Sequence, residues 1–441
     1  MRAAATRKTD RMAALDENTA VRRLYDRFGF GPGRGEVAAA GGFDAAVTAL
    51  LSAVDDGVAP GPPRFDPEPA RPKKDSAERK RIAAELRRRQ TAITVWWLDR
   101  MVATTTPLTE KLTWFWHGHF ATSAQKVRSP ALMLAQNETL RRLGTGDFAL
   151  LAKAMVVDPA MLIWLDGQKN TAKAANENLG RELMELFTIG VGTYTEDDVR
   201  EAARALTGWR VNRTAGTATL AARQHDSGEK TVLGTTADLD ATGLVDVLLA
   251  RPESARFVAG RMWARLVSGT EPAADVLDRL VAGYGANRDP RGLLRAIAAE
   301  PAFRDEASTL VKQPVEWLVG LLRALELRPS TLGEREQTML LAGLRGMGQV
   351  PFLPPSVGGW PAGPAWLTTS AGLTRVQLAR LLTGKAQLDG LRGGDPVAAV
   401  AELYGVASWS ERTAAALKGV AGQPAELAAV AAVAPEYVVS T

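Results

Sequence analysis

Along most of the chain, apolar residues recur at three- and four-residue intervals, which predicts a mainly α protein with few strands. "ENTAVRRLYDRFGFGPGRGEVAAAGGFDAAVTALL" predicts a helix, a glycine-rich turn at Gly29–Gly35 and a second helix ending near Leu51. A long helix is expected over 76–104, followed by helices near 108–120, 129–143, 147–157, 178–188 and 196–207. Helical spacing resumes after residue 234, and alanine-rich helices close the chain.

The pattern is broken in three places. Residues 57–75, "GVAPGPPRFDPEPARPKKD", are too rich in proline for regular structure and are expected to be a linker. Residues 210–234 predict two short strands around an Asp-Ser-Gly turn, a small β-hairpin insertion. Residues 346–370 form a long proline, glycine and tryptophan loop, of the kind that tends to carry function. The expected architecture is a large multi-helix single domain. Residues 1–20 form a flexible arm, 21–385 the main body, and 386–441 an alanine-rich helical segment packed on it.

The segment 176–209 carries more polar chemistry than packing alone requires. On a wheel of about 100° per residue, Leu179, Leu183, Met184, Leu186 and Phe187 make an apolar arc. Asn178, Glu182 and Glu185 fall at i, i+4 and i+7 on the other side, along one stripe. Two readings stay open: a solvated face, or a row lining a cavity and able to hold a metal or move protons. Thr195, followed by Glu196, Asp197 and Asp198, has the form of an N-cap with acids opposing the helix dipole.

The chain has three histidines: His117 and His119 in "LTWFWHGHF", and His225 beside Asp226 in "ARQHDSG". Imidazole is the commonest metal ligand and a physiological proton carrier. His117, His119, His225, Glu182 and Glu185 are therefore candidate metal ligands, and His117, His225, Glu182, Glu185, Asn178 and Asp226 candidate catalytic groups. Geometry restrains the first set. On an unbroken helix His117 and His119 stand about 200° apart, so both meet one ion only if the helix ends or distorts at Gly118. The competing expectation is one buried, hydrogen-bonded histidine and one site histidine. His225 and Asp226 have a plain alternative as a capped turn with an exposed ring.

Composition then removes whole classes. The absence of cysteine excludes disulfides, thiolate metal sites and a cysteine nucleophile. A formal charge of +5, spread along the chain, gives little support to nucleic-acid binding. No run of about eighteen uninterrupted apolar residues suggests a membrane span. The basic N-terminus has no apolar signal core, so a cytoplasmic location is expected.

Several stretches together resemble the Domain of Unknown Function 1800 family. They are "RLYDRFGFGP", "EKLTWFWHGHFATS", "DPAMLIWLDGQKN", the segment 176–209, "QHDSGEKTVLG", "VKQPVEWLV" and "PPSVGGWPAGPAWLTTS", and they span roughly residues 21–385. The resemblance implies a bacterial protein, often exported and often encoded beside a protein that looks like phosphatases and sulfatases. It implies no activity. Two functions are therefore carried forward. One is an enzyme with a His/Glu/Asn site, loaded with Zn, Mn or Fe, performing hydrolysis or group transfer in a biosynthetic pathway or, alternatively, oxidation. The other is a non-catalytic scaffold that binds a small molecule, a glycan or the phosphatase/sulfatase-like partner.

Overall fold

The computed structural model describes residues 14–55, 57–69 and 76–440. They form twenty-two α-helices and three two-stranded antiparallel sheets, which makes the protein mainly α, as the spacing predicts. The elements that position the site are α1 (Glu17–Arg27), α2 (Ser76–Ala103), α3 (Pro107–His119) and α4 (Pro130–Leu143). They are followed by α5 (Asn178–Glu182), α6 (Glu196–Ala205), the strands β1 to β4, and α7 (Pro252–Leu266). Strand β5 (Leu310–Val311), α8 (Pro314–Ala324), α9 (Glu334–Gly346), α10 (Thr369–Thr383), α11 (Pro424–Ala432) and β6 (Val439–Ser440) complete the set.

Helix α3 lies between two halves of the core. Leu108, Leu112 and Trp116 pack into one half, and Trp114 into the other. The helix is buried on nearly every side, polar residues included, and proline at its first position suits the start. Charges are buried with it, Glu110 and Lys111. Glu110 accepts hydrogen bonds from Arg100 Nε at 2.7 Å, Arg141 Nη2 at 2.9 Å and Trp97 Nε1 at 2.9 Å, tying α2, α3 and α4 together.

The structure differs from the sequence reading in four places. Residues 1–13 of the expected arm lie outside the described residues, but Asp16 caps α1 through the Thr19 N–H at 3.0 Å, so a helix begins at Glu17. The described part of the 57–75 linker is irregular yet anchored. Pro60 O accepts from Trp96 Nε1 at 3.0 Å, and Asp66 O accepts from Arg89 Nη1 at 2.6 Å.

The expected hairpin is two hairpins. β1 (Trp209–Asn212) pairs with β2 (Thr217–Leu220), and β3 (Lys230–Val232) with β4 (Thr235–Ala237). The second turns on Leu233 and Gly234, whose φ values of 49° and 82° are those of a tight two-residue turn. Asp226-Ser227-Gly228 lies between the hairpins and turns neither of them.

The helix from Asn178 also changes form at Leu183. Leu183–Thr188 is a π-helix, with the Ile189 N–H bonded to Met184 O at 3.0 Å. Each residue there advances less than in an α-helix, so Glu185 lags behind the place a straight wheel assigns it.

The C-terminal segment is part of the core. Trp317 Nε1 donates to Ala432 O at 2.8 Å, β6 pairs with β5, and buried Arg27 donates to Ser440 O at 2.8 Å and to Ser440 Oγ at 2.9 Å. Among the described residues, no helix is long and apolar enough to cross a membrane.

Candidate functional site

Lys111, Phe115 and His119 succeed one another at four-residue spacing and share one face of α3. Opposite them α7 presents Arg261 and Arg265, again four residues apart. The start of α8 supplies Gln313 and Glu316, and the long loop supplies Trp360. These groups line a cavity of about 30 Å³, room for about two waters. A second cavity of about 30 Å³ shares Lys111, Arg265, Gln313 and Glu316 with the first and continues to Asp26 and Lys312. The two make one cleft.

The loop reaches the cleft because Gly359 lets its backbone touch that of Gly118. A Cβ on Gly359, whose φ is 80°, would lie 2.3 Å from Gly118 O, and a Cβ on Gly118 would lie 3.9 Å from the Trp360 ring. Trp360 consequently stacks on Trp114 with centroids 5.1 Å apart. Its backbone oxygen accepts from Arg265 Nη2 at 3.0 Å, while its own Nε1–H is buried without a partner.

Charge in the cleft is unbalanced. Lys111 Nζ pairs with Glu316 Oε1 at 2.6 Å, and Lys312 Nζ with Asp26 Oδ1 at 2.9 Å. Burial pushes the Asp26 carboxyl up, but the charge and hydrogen bond of Lys312 outweigh it and hold the carboxyl below its usual range. Arg261 and Arg265 have no carboxylate within ion-pair distance among the described residues. Arg265 bonds only to carbonyls. Arg261 lies over the Phe257 ring, 5.7 Å from its centroid, with no protein acceptor. Burial, followed by the neighbouring Arg265, pushes the Arg261 guanidinium down to about 10. It stays charged at neutral pH, a partly desolvated cation with no anion in contact.

His119 stands at the inner end. Its Nε2 lies 2.9 Å from Phe187 O. A carbonyl only accepts, so Nε2 carries the proton and Nδ1 of the neutral ring is an acceptor. That Nδ1 is buried and meets no donor. Burial, and then Arg261, hold the ring well below its usual value, against the pull of the Phe187 bond.

The other predicted residues lie elsewhere. His117 faces away from His119, as the unbroken helix requires. Its Nε2 accepts the Phe352 N–H at 2.9 Å inside a cage of Trp97, Trp114 and Trp360, and burial lowers its pKa to about 3. His225 Nδ1 donates to Thr207 O at 3.0 Å, and Asp226 pairs with Arg204 Nε at 2.8 Å while capping the Gly228 N–H at 3.0 Å. Asn178 is exposed. Glu185 accepts from the Tyr194 hydroxyl and lies 3.6 Å from Arg181. Glu182 is raised above the usual carboxylate range, first by burial and then by Glu185.

These groups do not fit a divalent ion. Among the described residues no three His, Asp or Glu side chains are grouped so as to hold one. Two of the three imidazoles already spend a ring nitrogen on a backbone carbonyl, and the third on a backbone N–H. Arg261 and Arg265 were missed because arginines on a half-apolar helix read as a wet face. Their i, i+4 spacing in line with Phe257 is the signal that was there to find.

A family model described as a protein of unknown function, DUF1800, matches residues 23–439. The chain belongs to the DUF1800 family. No curated protein and no solved structure matches it. The DUF1800 match runs past residue 385, in keeping with a C-terminal segment built into the core. Four of the stretches that carry the DUF1800 resemblance supply the cleft: Asp26 from the first, Lys111 and His119 from the second, Lys312, Gln313 and Glu316 from "VKQPVEWLV", and Trp360 from the loop. The stretches holding Glu182 and His225 build the region around α5 and α6, which meets the cleft through Phe187.

Proposed function

We propose that this DUF1800 protein binds a small anionic molecule in the cleft between α3, α7, α8 and the Trp360 loop, and that any chemistry it performs takes place there. One observation carries this reading. Among the described residues, Arg261 is a half-buried guanidinium with no carboxylate in ion-pair contact and no protein acceptor, beside Arg265, which is held by carbonyls and feels Glu316 only through space. Leaving such a charge unmatched is costly, and an anion from solution would repay that cost. Phe115, Trp114 and Trp360 supply the apolar walls usual in small-molecule sites.

Metal-assisted hydrolysis and oxidation keep as support only the Glu182–Glu185 pair and the half-buried His225. The scaffold reading rests on the family resemblance. The cleft reading rests on uncompensated charge and is the stronger.

Calorimetric titration with inorganic phosphate tests it. Arg261→Gln, which removes the charge from a side chain that bonds to nothing else, should weaken binding about tenfold or more. Equal affinity in the two proteins would defeat the reading.

A further inference from the structure

The cleft offers donors on several sides, and its carboxylates are already paired with Lys111 and Lys312, which leaves one unpartnered acceptor among the described residues. Arg261 and Arg265 supply guanidinium N–H groups, and Trp360 a buried, unpartnered indole N–H. His119 Nδ1 is the exception, a lone pair 1% exposed on the residue and satisfied by nothing. Phe187 O fixes this arrangement, because it holds the ring proton on Nε2. Phe187 lies in the last turn of the Leu183–Thr188 π-helix, where carbonyls look for partners outside the helix. An ordinary anion would satisfy the donors and leave Nδ1 stranded, and a buried acceptor without a donor is penalised.

We infer that the cleft selects an oxyanion bearing its own O–H within a few atoms of the charge, with the oxygens on Arg261, Arg265 and Trp360 and the hydroxyl donated to His119 Nδ1. This rests on the anion-binding reading above and names the ligand class for it. Two kinds of molecule share the chemistry: a protonated phosphate, and a carboxylate with a neighbouring hydroxyl. Each has a close analogue lacking the donor, sulfate for hydrogenphosphate and acetate for glycolate. Sulfate carries the larger charge at neutral pH, so charge alone would favour it. The two carboxylates are equally charged.

Calorimetry at pH 7 with these four probes, on the full chain, decides the matter. The donor-bearing member of a pair should bind roughly tenfold or more tightly than its analogue, and the pair that shows the preference identifies the class. In protein labelled with ¹⁵N-histidine only three rings are visible, and the His119 Nδ1 resonance should move toward its hydrogen-bonded position with the donor-bearing probe and stay in place with the analogue. This readout uses the wild-type chain, so it does not depend on a variant folding. His119→Phe, where folded, should bind both members of the pair alike. Equal affinities within both pairs, or a His119 signal unmoved by every donor-bearing probe that binds, overturn the inference while leaving the anion site standing. If none of the four binds, or if Arg261→Gln binds them as the wild type does, the anion site itself fails.

Discussion

His117 and His119 are two residues apart, and what each ring meets is set by which side of α3 it leaves. His117 is a packed core histidine whose Nε2 holds the Phe352 N–H. His119 has one nitrogen committed and one free. That division was legible in the sequence, since about 200° of helical rotation separates the two positions. Which of them faced a cleft was not, because it depends on α7 and the Trp360 loop arriving from far along the chain. Asp158 provides a test at this scale. Buried beneath α4, it accepts the Met161 N–H at 2.9 Å and Gln136 Nε2 at 2.6 Å, and burial pushes its pKa up to about 6. The folded chain therefore binds this proton more tightly than the unfolded one. The stability it confers is present below about pH 4 and lost as pH rises through about 6, a change of roughly 3 kcal/mol. Asp158→Asn mimics the protonated form and keeps the acceptor. Urea unfolding should show it to be more stable than the wild type at pH 7 and about equal at pH 4; the same pH dependence in both proteins would rule this out.

Among the elements, the helices were the most legible, since their ends carry local chemistry. Thr195 accepts the Asp198 N–H at 3.2 Å while Asp198 accepts the Thr195 N–H at 2.8 Å, the reciprocal cap that Thr-Glu-Asp-Asp implies. Less legible were elements decided by backbone strain or by distant packing. The π-turn at Leu183 has no compositional mark, and the second hairpin turns on a leucine at positive φ, a choice no propensity favours. The Trp360 loop depends on a contact of this second kind. Gly359→Ala would force a Cβ against Gly118 O in a left-handed conformation, costing about 2 kcal/mol or more. It should lower the thermal midpoint and abolish anion binding together, because Trp360 and the carbonyls that hold Arg265 move with the loop. A variant as stable and as tightly binding as the wild type would show that the loop does not shape the cleft.

For the whole molecule, the two core halves and the closing strand make one cooperative body. The sequence sets residues 386–441 apart as an alanine-rich segment packed on the main body. Long-range bonds from Arg27 to Ser440 and from Trp317 to Ala432 join that segment to the core. Truncation after residue 385 would strip two of the five acceptors from the buried Arg27 guanidinium and uncover the face of α8, so the shortened chain should be insoluble or molten. A soluble fragment with a sharp unfolding transition would restore the two-part division. The same long-range closure draws four distant stretches around one cationic cleft, and this convergence is the central claim. A crystal structure of the full chain grown with hydrogenphosphate tests it most directly. The account predicts a tetrahedral ion in hydrogen-bond contact with the Arg261 guanidinium and His119 Nδ1; phosphate found only on the outer surface, with that cleft holding water alone, would contradict it.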